Sequence, residues 1–266
     1  PHAAPLWMIN FCKVYMDVLF LDAPYSGSVE LSKDTLSHLK KKKYKTVALY
    51  ASVQFVNNLD TVREQLRQNE INVITSHADR TQVKGQLLGC DNYHNSLNMS
   101  RDETKTADCY LYVGDGKFHP LALVYAQKDM HEMKEIICND PLAKKMSLMG
   151  AADIKKILLK YRASLMKFLT AKTIGVIVTI KPGQEQFRPS LVLEKRYADK
   201  KFYYFIDNVV SFDQLENFNF IDVWVNTACP RVGFDDQEKF AKGVINLNDA
   251  LMAEDILGRD SVLTRL

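Results

Sequence analysis

Apolar positions fall along this chain in short uninterrupted runs, separated by stretches in which they recur every three or four residues. Thr46 to Ala51, Ile71 to Thr75, Ala107 to Val113, Thr173 to Thr179, Lys201 to Asp207 and Phe218 to Val225 read as strands, and Met16 to Asp22 reads as an earlier one. Between them, Ser32 to Lys41 reads as a short helix. Val56, Leu59, Val62 and Leu66 mark a second, and Pro120 to Met133 a third. Ala152 to Ala171 is a long amphipathic helix with Ile154, Leu158, Tyr161, Leu165 and Phe168 along one side, placed to bridge two domains.

Strands that alternate with helices imply parallel βαβ units, and strands apolar at successive positions imply sheets covered on both faces. The fold class expected is therefore α/β: three small, pseudo-repeated parallel-sheet domains of three layers (αβα) around a central site. Their bounds are 1–43, the remainder of a truncated first domain, then 44–150 and 151–266. Pro1 to Leu6 reads like the middle of a loop, so an N-terminal part is expected to precede it.

Composition narrows the function classes. The 266 residues, 47% of them apolar, can bury real cores. Thirty-five Lys and Arg against 32 Asp and Glu leave no electrostatic footprint for nucleic acid, and the run Lys40 to Lys43 reads as the solvated end of a helix. No apolar stretch reaches membrane-spanning length and no signal peptide is visible, so no membrane partner is expected. Five cysteines without CxxC spacing fit neither a zinc ribbon nor a secreted disulfide framework; a reducing cytoplasm suits them.

Two of those cysteines stand apart. Cys229 ends the strand that leads into Asn226-Thr227-Ala228-Cys229-Pro230-Arg231. Cys90 lies in Gly85-Gln86-Leu87-Leu88-Gly89-Cys90-Asp91, a loop after a strand. Ligands of α/β sheets bind beyond strand C-termini, so these loops can converge on one site. A thiolate there suits zinc, an iron–sulfur cluster or nucleophilic catalysis; the alternative is inert packing. Cys109, inside an apolar strand, and Cys138, after a helix, read as packing; Cys12 lies in a segment without an assignment.

These two loops, with Tyr112-Val113-Gly114-Asp115-Gly116-Lys117-Phe118-His119-Pro120, closely resemble the archaeal diphthamide synthase family, 2-(3-amino-3-carboxypropyl)histidine synthase. Ala51-Ser52-Val53-Gln54-Phe55 and Lys181-Pro182-Gly183-Gln184 resemble it too, and the likeness runs from about Met16 to the C-terminus. The resemblance implies a non-standard radical enzyme. It would use a 4Fe–4S cluster held by one cysteine from each of three domains and S-adenosylmethionine as cosubstrate. It would transfer the 3-amino-3-carboxypropyl group to a histidine of elongation factor 2. Cys90 and Cys229 match the ligands of the second and third domains. The first-domain cysteine would lie upstream of His2-Ala3-Ala4-Pro5, and Cys12 sits too far along to match it. The resemblance further implies a homodimer and an external electron donor.

The remaining site candidates combine position with that resemblance. Gly114 and Gly116 would let the backbone approach a ligand, and Asp115 would accept from its amino group or ribose; a turn aspartate bonding its own backbone is the alternative. Phe118 is assigned to the cofactor with its loop. His119 is a cofactor contact or a structural helix-start histidine. Gln54 and Gln184 are polar contacts or helix-entry residues, and Asp207 stands at a strand end. Arg231 would pair with the cofactor carboxylate, or else form a surface ion pair. Two rival readings remain: a quinolinate-synthase-like iron–sulfur dehydratase, against which the Gly-Asp-Gly-Lys-Phe-His-Pro and Thr-Ala-Cys-Pro-Arg motifs argue, and a non-catalytic iron–sulfur partner subunit.

Overall fold

The computed structural model describes residues 24–181, 184 and 186–266. The expected strand at Met16 to Asp22, and Cys12, lie outside the described residues. Helix α1 (Lys33–Lys42) starts where the Ser32 hydroxyl accepts from the Thr35 amide, and ends in three lysines and a left-handed cap at Lys43. Lys40 to Lys43 are exposed, as a solvated helix end should be. Next come β1 (Thr46–Ala51), α2 (Asp60–Gln68), β2 (Asn72–Ile74), α3 (Arg101–Thr106), β3 (Cys109–Val113), α4 (Pro120–Ala126), β4 (Ile136–Asp140) and β5 (Lys145–Met149). Helix α5 (Ala151–Thr170) leads to β6 (Thr173–Thr179), α6 (Phe187–Ser190), α7 (Val192–Arg196), β7 (Lys201–Asp207), α8 (Phe212–Leu215), β8 (Val223–Asn226), α9 (Pro230–Asp235), β9 (Val244–Asn246), α10 (Leu247–Ala250) and α11 (Ala253–Gly258). No described helix is long and apolar enough to cross a membrane.

Two sheets form. The first runs β2-β1-β3-β4-β5, parallel except for β5; the second runs β7-β6-β8-β9, all parallel. Taken in chain order, the four parallel strands of each sheet follow the same second-first-third-fourth arrangement. The correspondence extends to side chains. Asp108 accepts from the amides of Lys45 and Thr46, anchoring the strand entering β3 to the start of β1; Asp222 accepts from Lys172 and Thr173 at the same place in the second sheet. Lys134, two residues before β4, donates to the carbonyls of Thr104, Lys105 and Ala107. Lys242, two residues before β9, donates to those of Phe218, Asn219 and Ile221.

One apolar core joins the sheets. Tyr50 and Tyr112 from the first sheet, Ile154, Leu158, Tyr161, Leu165 and Phe168 from α5, and Ile174, Val176 and Val225 from the second are all buried within it. Beneath it lies a buried charged group. The Lys128 ammonium, 1% exposed, pairs with Asp129 and, at 3.0 Å, with Asp249 of α10, and sits 4.9 Å from the centre of the Tyr93 ring. Tyr161 and Tyr93 donate to the same Asp249 carboxylate. Burial alone would lower Lys128, yet the two carboxylates hold it above its ordinary pKa; burial pushes Asp249 up.

Three expectations need correction. The helix from Pro120 stops at Ala126 instead of Met133, and the chain then forms β4 and β5. Cys138 is therefore a buried strand residue of β4. The strand expected from Phe218 begins only at Val223; Phe218 packs its ring 4.4 Å from that of Phe205, so its burial comes from a turn.

Candidate functional site

The two cysteine loops are built by different means. The chain from Gly85 to Leu87 pairs beside the end of β1: the Ala51 amide donates to Gly85 at 2.8 Å and the Leu87 amide to Ala51 at 2.9 Å. That added rung carries Gly89 and Cys90 past the C-terminal end of the sheet. Asp91 then closes the loop by accepting from the Leu88 amide at 2.8 Å, and burial holds its carboxyl up at about 6. Cys229 is the N-cap residue of α9, with Pro230 in the first turn. The Asn226 side chain holds this loop from both ends, donating to the Cys229 carbonyl at 3.0 Å and accepting from the Ala228 amide at 3.1 Å. It also donates to Asn246, whose amide donates to Pro230 and whose backbone accepts no slack, since its N–H is tied to the Tyr161 hydroxyl at 2.8 Å. Tyr161 in turn donates to Asp249, so the buried charged group reaches the Cys229 loop through three residues, Tyr161, Asn246 and Asn226.

The four described cysteines divide in two. Cys90 and Cys229 are half-buried and free; Cys109 and Cys138 are buried in strands, and burial pushes the Cys138 thiol up to about 12 and Cys109 higher still. Burial also raises Cys90, with Asp91 adding to it, while the Arg80 guanidinium beside the thiol acts in the opposite sense. The Arg231 guanidinium, two residues after Cys229, approaches the Gly89 carbonyl next to Cys90 at 3.5 Å, so the two cysteine loops lie side by side. No group of three or more His, Cys, Asp and Glu among the described residues is arranged to hold a metal ion. The donor set here is two soft thiols from two sheets, which suits iron or another thiophilic metal and leaves further ligands to be supplied from elsewhere.

Arg231 ties these loops together. It is 6% exposed, and each nitrogen of its fork has a protein partner: Nε and Nη2 face Asp235, and Nη1 donates to the Phe118 carbonyl at 2.7 Å, with the Gly89 carbonyl at 3.5 Å. The guanidinium stacks 4.4 Å from the Phe118 ring and 5.3 Å from that of Tyr125, whose hydroxyl donates to Asp235 at 2.6 Å. These contacts occupy the donors that pairing with a cofactor carboxylate would need. A Cβ on Gly89 would lie 2.1 Å from the Phe118 ring, so only glycine lets that ring close over the cysteine loop.

The other candidates all lie at C-terminal strand ends. Gln54 follows β1 and is exposed, its carbonyl accepting from the Tyr25 amide. Gly114 to Gly116 follow β3; Gly114 is buried, Asp115 exposed, and Gly116 has a φ of 64° with nothing near its Cβ direction, an open left-handed turn. Gln54 and Gly114 thus flank the point between β1 and β3 where the strand order reverses, and Gln184 and Cys229 flank its counterpart between β6 and β8. Phe118 is 54% exposed although its carbonyl is bound. His119 is half-buried; burial lowers its pKa, with the Asp115 carboxylate opposing and Arg231 assisting. Asp207 accepts from the amides of Asn208 and Val209, a turn aspartate. Gln54, Gln184 and Asp207 make no hydrogen bond to either cysteine loop among the described residues. Sequence reasoning missed Asn226, Asn246, Asp235 and Arg80. Of these, only Asn226 carried a signal, standing within the Cys229 motif.

Comparison with known proteins adds to this geometry. Residues 10–260 match the family model for diphthamide synthesis protein. The chain is 32% identical over 222 residues to 2-(3-amino-3-carboxypropyl)histidine synthase of Pyrococcus horikoshii, covering 82% of this chain and 59% of that protein. It is 25% identical over 259 residues to subunit 1 of the Yarrowia lipolytica synthase, covering 96% and 55%. The crystal structure of Dph2 from Pyrococcus horikoshii with a 4Fe–4S cluster superposes with a TM-score of 0.68 at 27% identity, over 86% of this chain and 64% of that one. The chain thus spans a little over half the length of the curated relatives it matches.

Proposed function

The chain belongs to the diphthamide synthesis family, and from that premise we infer that it transfers the 3-amino-3-carboxypropyl group of S-adenosylmethionine to a histidine of elongation factor 2 by a radical route. The observation that supports this most is the meeting of the Cys90 and Cys229 loops at Arg231, which places two half-buried cysteines from different sheets in adjoining loops. They would hold two corners of a 4Fe–4S cluster. When bound, such a cluster supplies the electron that cleaves the bond between the sulfonium and the γ-carbon, an external donor replenishing it.

The chain's own residues would bind and orient. Gly114 and Gly116 let the cosubstrate approach the backbone at the strand-order reversal, and the exposed Asp115 carboxylate accepts from its amino group or ribose hydroxyls. Phe118 offers an exposed ring backed by Arg231, a face for stacking and for keeping water away. His119, held neutral by burial, can accept a proton at a ring nitrogen. Gln54, Gln184 and Asp207 supply further polar contacts at strand ends. Arg231 acts through the loops it joins.

The homodimer has a surface that fits it. Strand β7 is an edge, with Tyr203 and Ile206 exposed and Tyr203 packed against the equally exposed Phe220. Lys201 donates its amide to Lys172, and Asp207 accepts from Ile180, so odd-numbered residues bond β6, and Phe202, Tyr204 and Ile206 turn their amides outward. A second copy paired antiparallel about Tyr204 would match those outward groups and set each Lys201 opposite the partner's Asp207, burying the liability of an open edge.

The deciding experiment uses S-adenosylmethionine labelled in the carboxypropyl part, with elongation factor 2 and dithionite under anaerobic conditions. Label should enter the factor, and Cys90→Ala or Cys229→Ala should abolish it. A reconstituted protein that binds iron and sulfide but never labels the factor refutes the transfer.

A further inference from the structure

We propose that Arg231 is a positioning residue that sets the separation of the Cys90 and Cys229 thiols. The proposal rests on the reading of those cysteines as ligands of one cluster. Arg231 stands two residues after Cys229 in α9; the Gly89 carbonyl it approaches belongs to the residue before Cys90; the Phe118 carbonyl it binds at 2.7 Å belongs to the loop after β3. One guanidinium, carried at the end of the loop Asn226–Arg231, therefore touches both of the loops Gly85–Asp91 and Gly114–His119. Each of the three comes from a different crossover, and Gly85–Asp91 and Asn226–Arg231 come from different sheets.

The chemistry requires arginine. Two donors are fixed to Asp235, itself held by the Tyr125 hydroxyl, which orients the plane of the fork. The remaining edge then points at carbonyls across the boundary between the sheets, and the flat face lies on the Phe118 and Tyr125 rings. An ammonium has neither the fork nor the face, so lysine would keep the charge and lose the spacing. The Cys229 loop is fixed to its own sheet through Asn226 and Asn246; Cys90 is fixed to the other through the rung on β1. Between the two, Arg231 reaches from the second residue after Cys229 to the carbonyl of the residue before Cys90. A cluster tolerates little error in the placement of its ligands, so loosening this span should cost cluster retention before it costs the fold.

The test reads thiol spacing with no cluster present. In a Cys12→Ser background, the ligand-free protein is treated with a graded series of bis-methanethiosulfonates, and bridging of Cys90 to Cys229 is quantified by peptide mass spectrometry. The native residue should select a narrow range of linker lengths. Arg231→Gln and Arg231→Lys should flatten that optimum, lowering bridging at the best length about threefold or more. Single-site alkylation of each thiol by iodoacetamide should stay unchanged, which a general loosening of the fold would not allow. Asp235→Asn, at a half-exposed side chain, should broaden the profile while leaving the fold intact. An unaltered optimum in Arg231→Gln overturns the proposal. The ligand reading fails separately: Cys90→Ala would then retain full iron and sulfide after reconstitution, whatever the bridging profile.

Discussion

Replacing Lys128 by methionine removes the cation from a buried group that joins the end of α4 to α5 and α10. Lys128 is 1% exposed and Asp249 3%, so no water reaches the carboxylate to replace the ammonium 3.0 Å away. Breaking such a pair from one side costs about 3–5 kcal/mol, because the remaining charge stays buried and uncompensated. With an unfolding entropy of about 2.1 cal/mol/K per residue over 266 residues, a loss of about 4 kcal/mol lowers Tm by about 7 °C. The pH dependence has a definite sign. Burial already raises Asp249 against the pull of Lys128, and without that pull it rises further. A carboxyl whose folded pKa lies above its unfolded one binds more protons when folded, so stability is regained as pH falls and lost as pH rises. The deficit of Lys128→Met should therefore be larger at pH 8 than at pH 5. Adding Asp249→Asn should recover a substantial part of it at pH 8. Urea melts followed by circular dichroism at the two pH values measure this. A deficit under about 1 kcal/mol at pH 8, or one that grows on acidification, would refute the account of a buried, mutually dependent pair.

The cysteines should separate by burial: Cys109→Ala and Cys138→Ala lose about 1–2 kcal/mol of stability and keep the iron–sulfur absorption after anaerobic reconstitution, whereas Cys90→Ala and Cys229→Ala lose it; retention in Cys90→Ala would overturn the ligand assignment. Lys201→Glu and Asp207→Lys should each be monomeric by light scattering and should dimerise when mixed, because only the mixture restores both opposite-charge pairs across β7; mixing without effect argues against that edge. Asp91 titrates at about 6 when folded, above an unfolded carboxyl, so it favours the folded state at low pH and its contribution is lost as pH climbs through about 4 to 6. Asp91→Asn should flatten that slope in melts across this range, and an unchanged slope would count against burial as the cause.

How far these features were legible in the sequence depends on where their partners lie. Strands β1, β3 and β6 are apolar at nearly every position because both faces are covered, and a run of that kind is hard to mistake. β4 was missed because Ile136, Ile137 and Cys138 are too few to stand out from the apolar spacing of the preceding helix. The false start at Phe218 has the same origin: an apolar run reports burial without saying whether a strand or a turn provides it. Cys90 and Cys229 were visible as loop residues, and their loops meet at Arg231. The setting of Arg231 was not visible. Asp235, four residues on, lies in reach of any helix reading, but its carbonyl partners are 113 and 142 residues away, and backbone carbonyls leave no trace in residue identity.

The paired anchors of the two sheets divide the molecule into poles. Asp108 and Asp222, with Lys134 and Lys242, all act where strands begin, whereas both cysteine loops and the glycine turn lie where strands end. A unit fastened at one pole can exchange its loops at the other without renegotiating its frame. Two copies of such a frame could drift apart chemically, one taking a cysteine at the end of its third strand and the other an aspartate at the matching place, while remaining recognisable as copies. Tolerance to substitution should be graded along the strand axis, and insertions that enlarge the reactive pole, such as the long connection carrying Cys90, are the kind of change this arrangement permits.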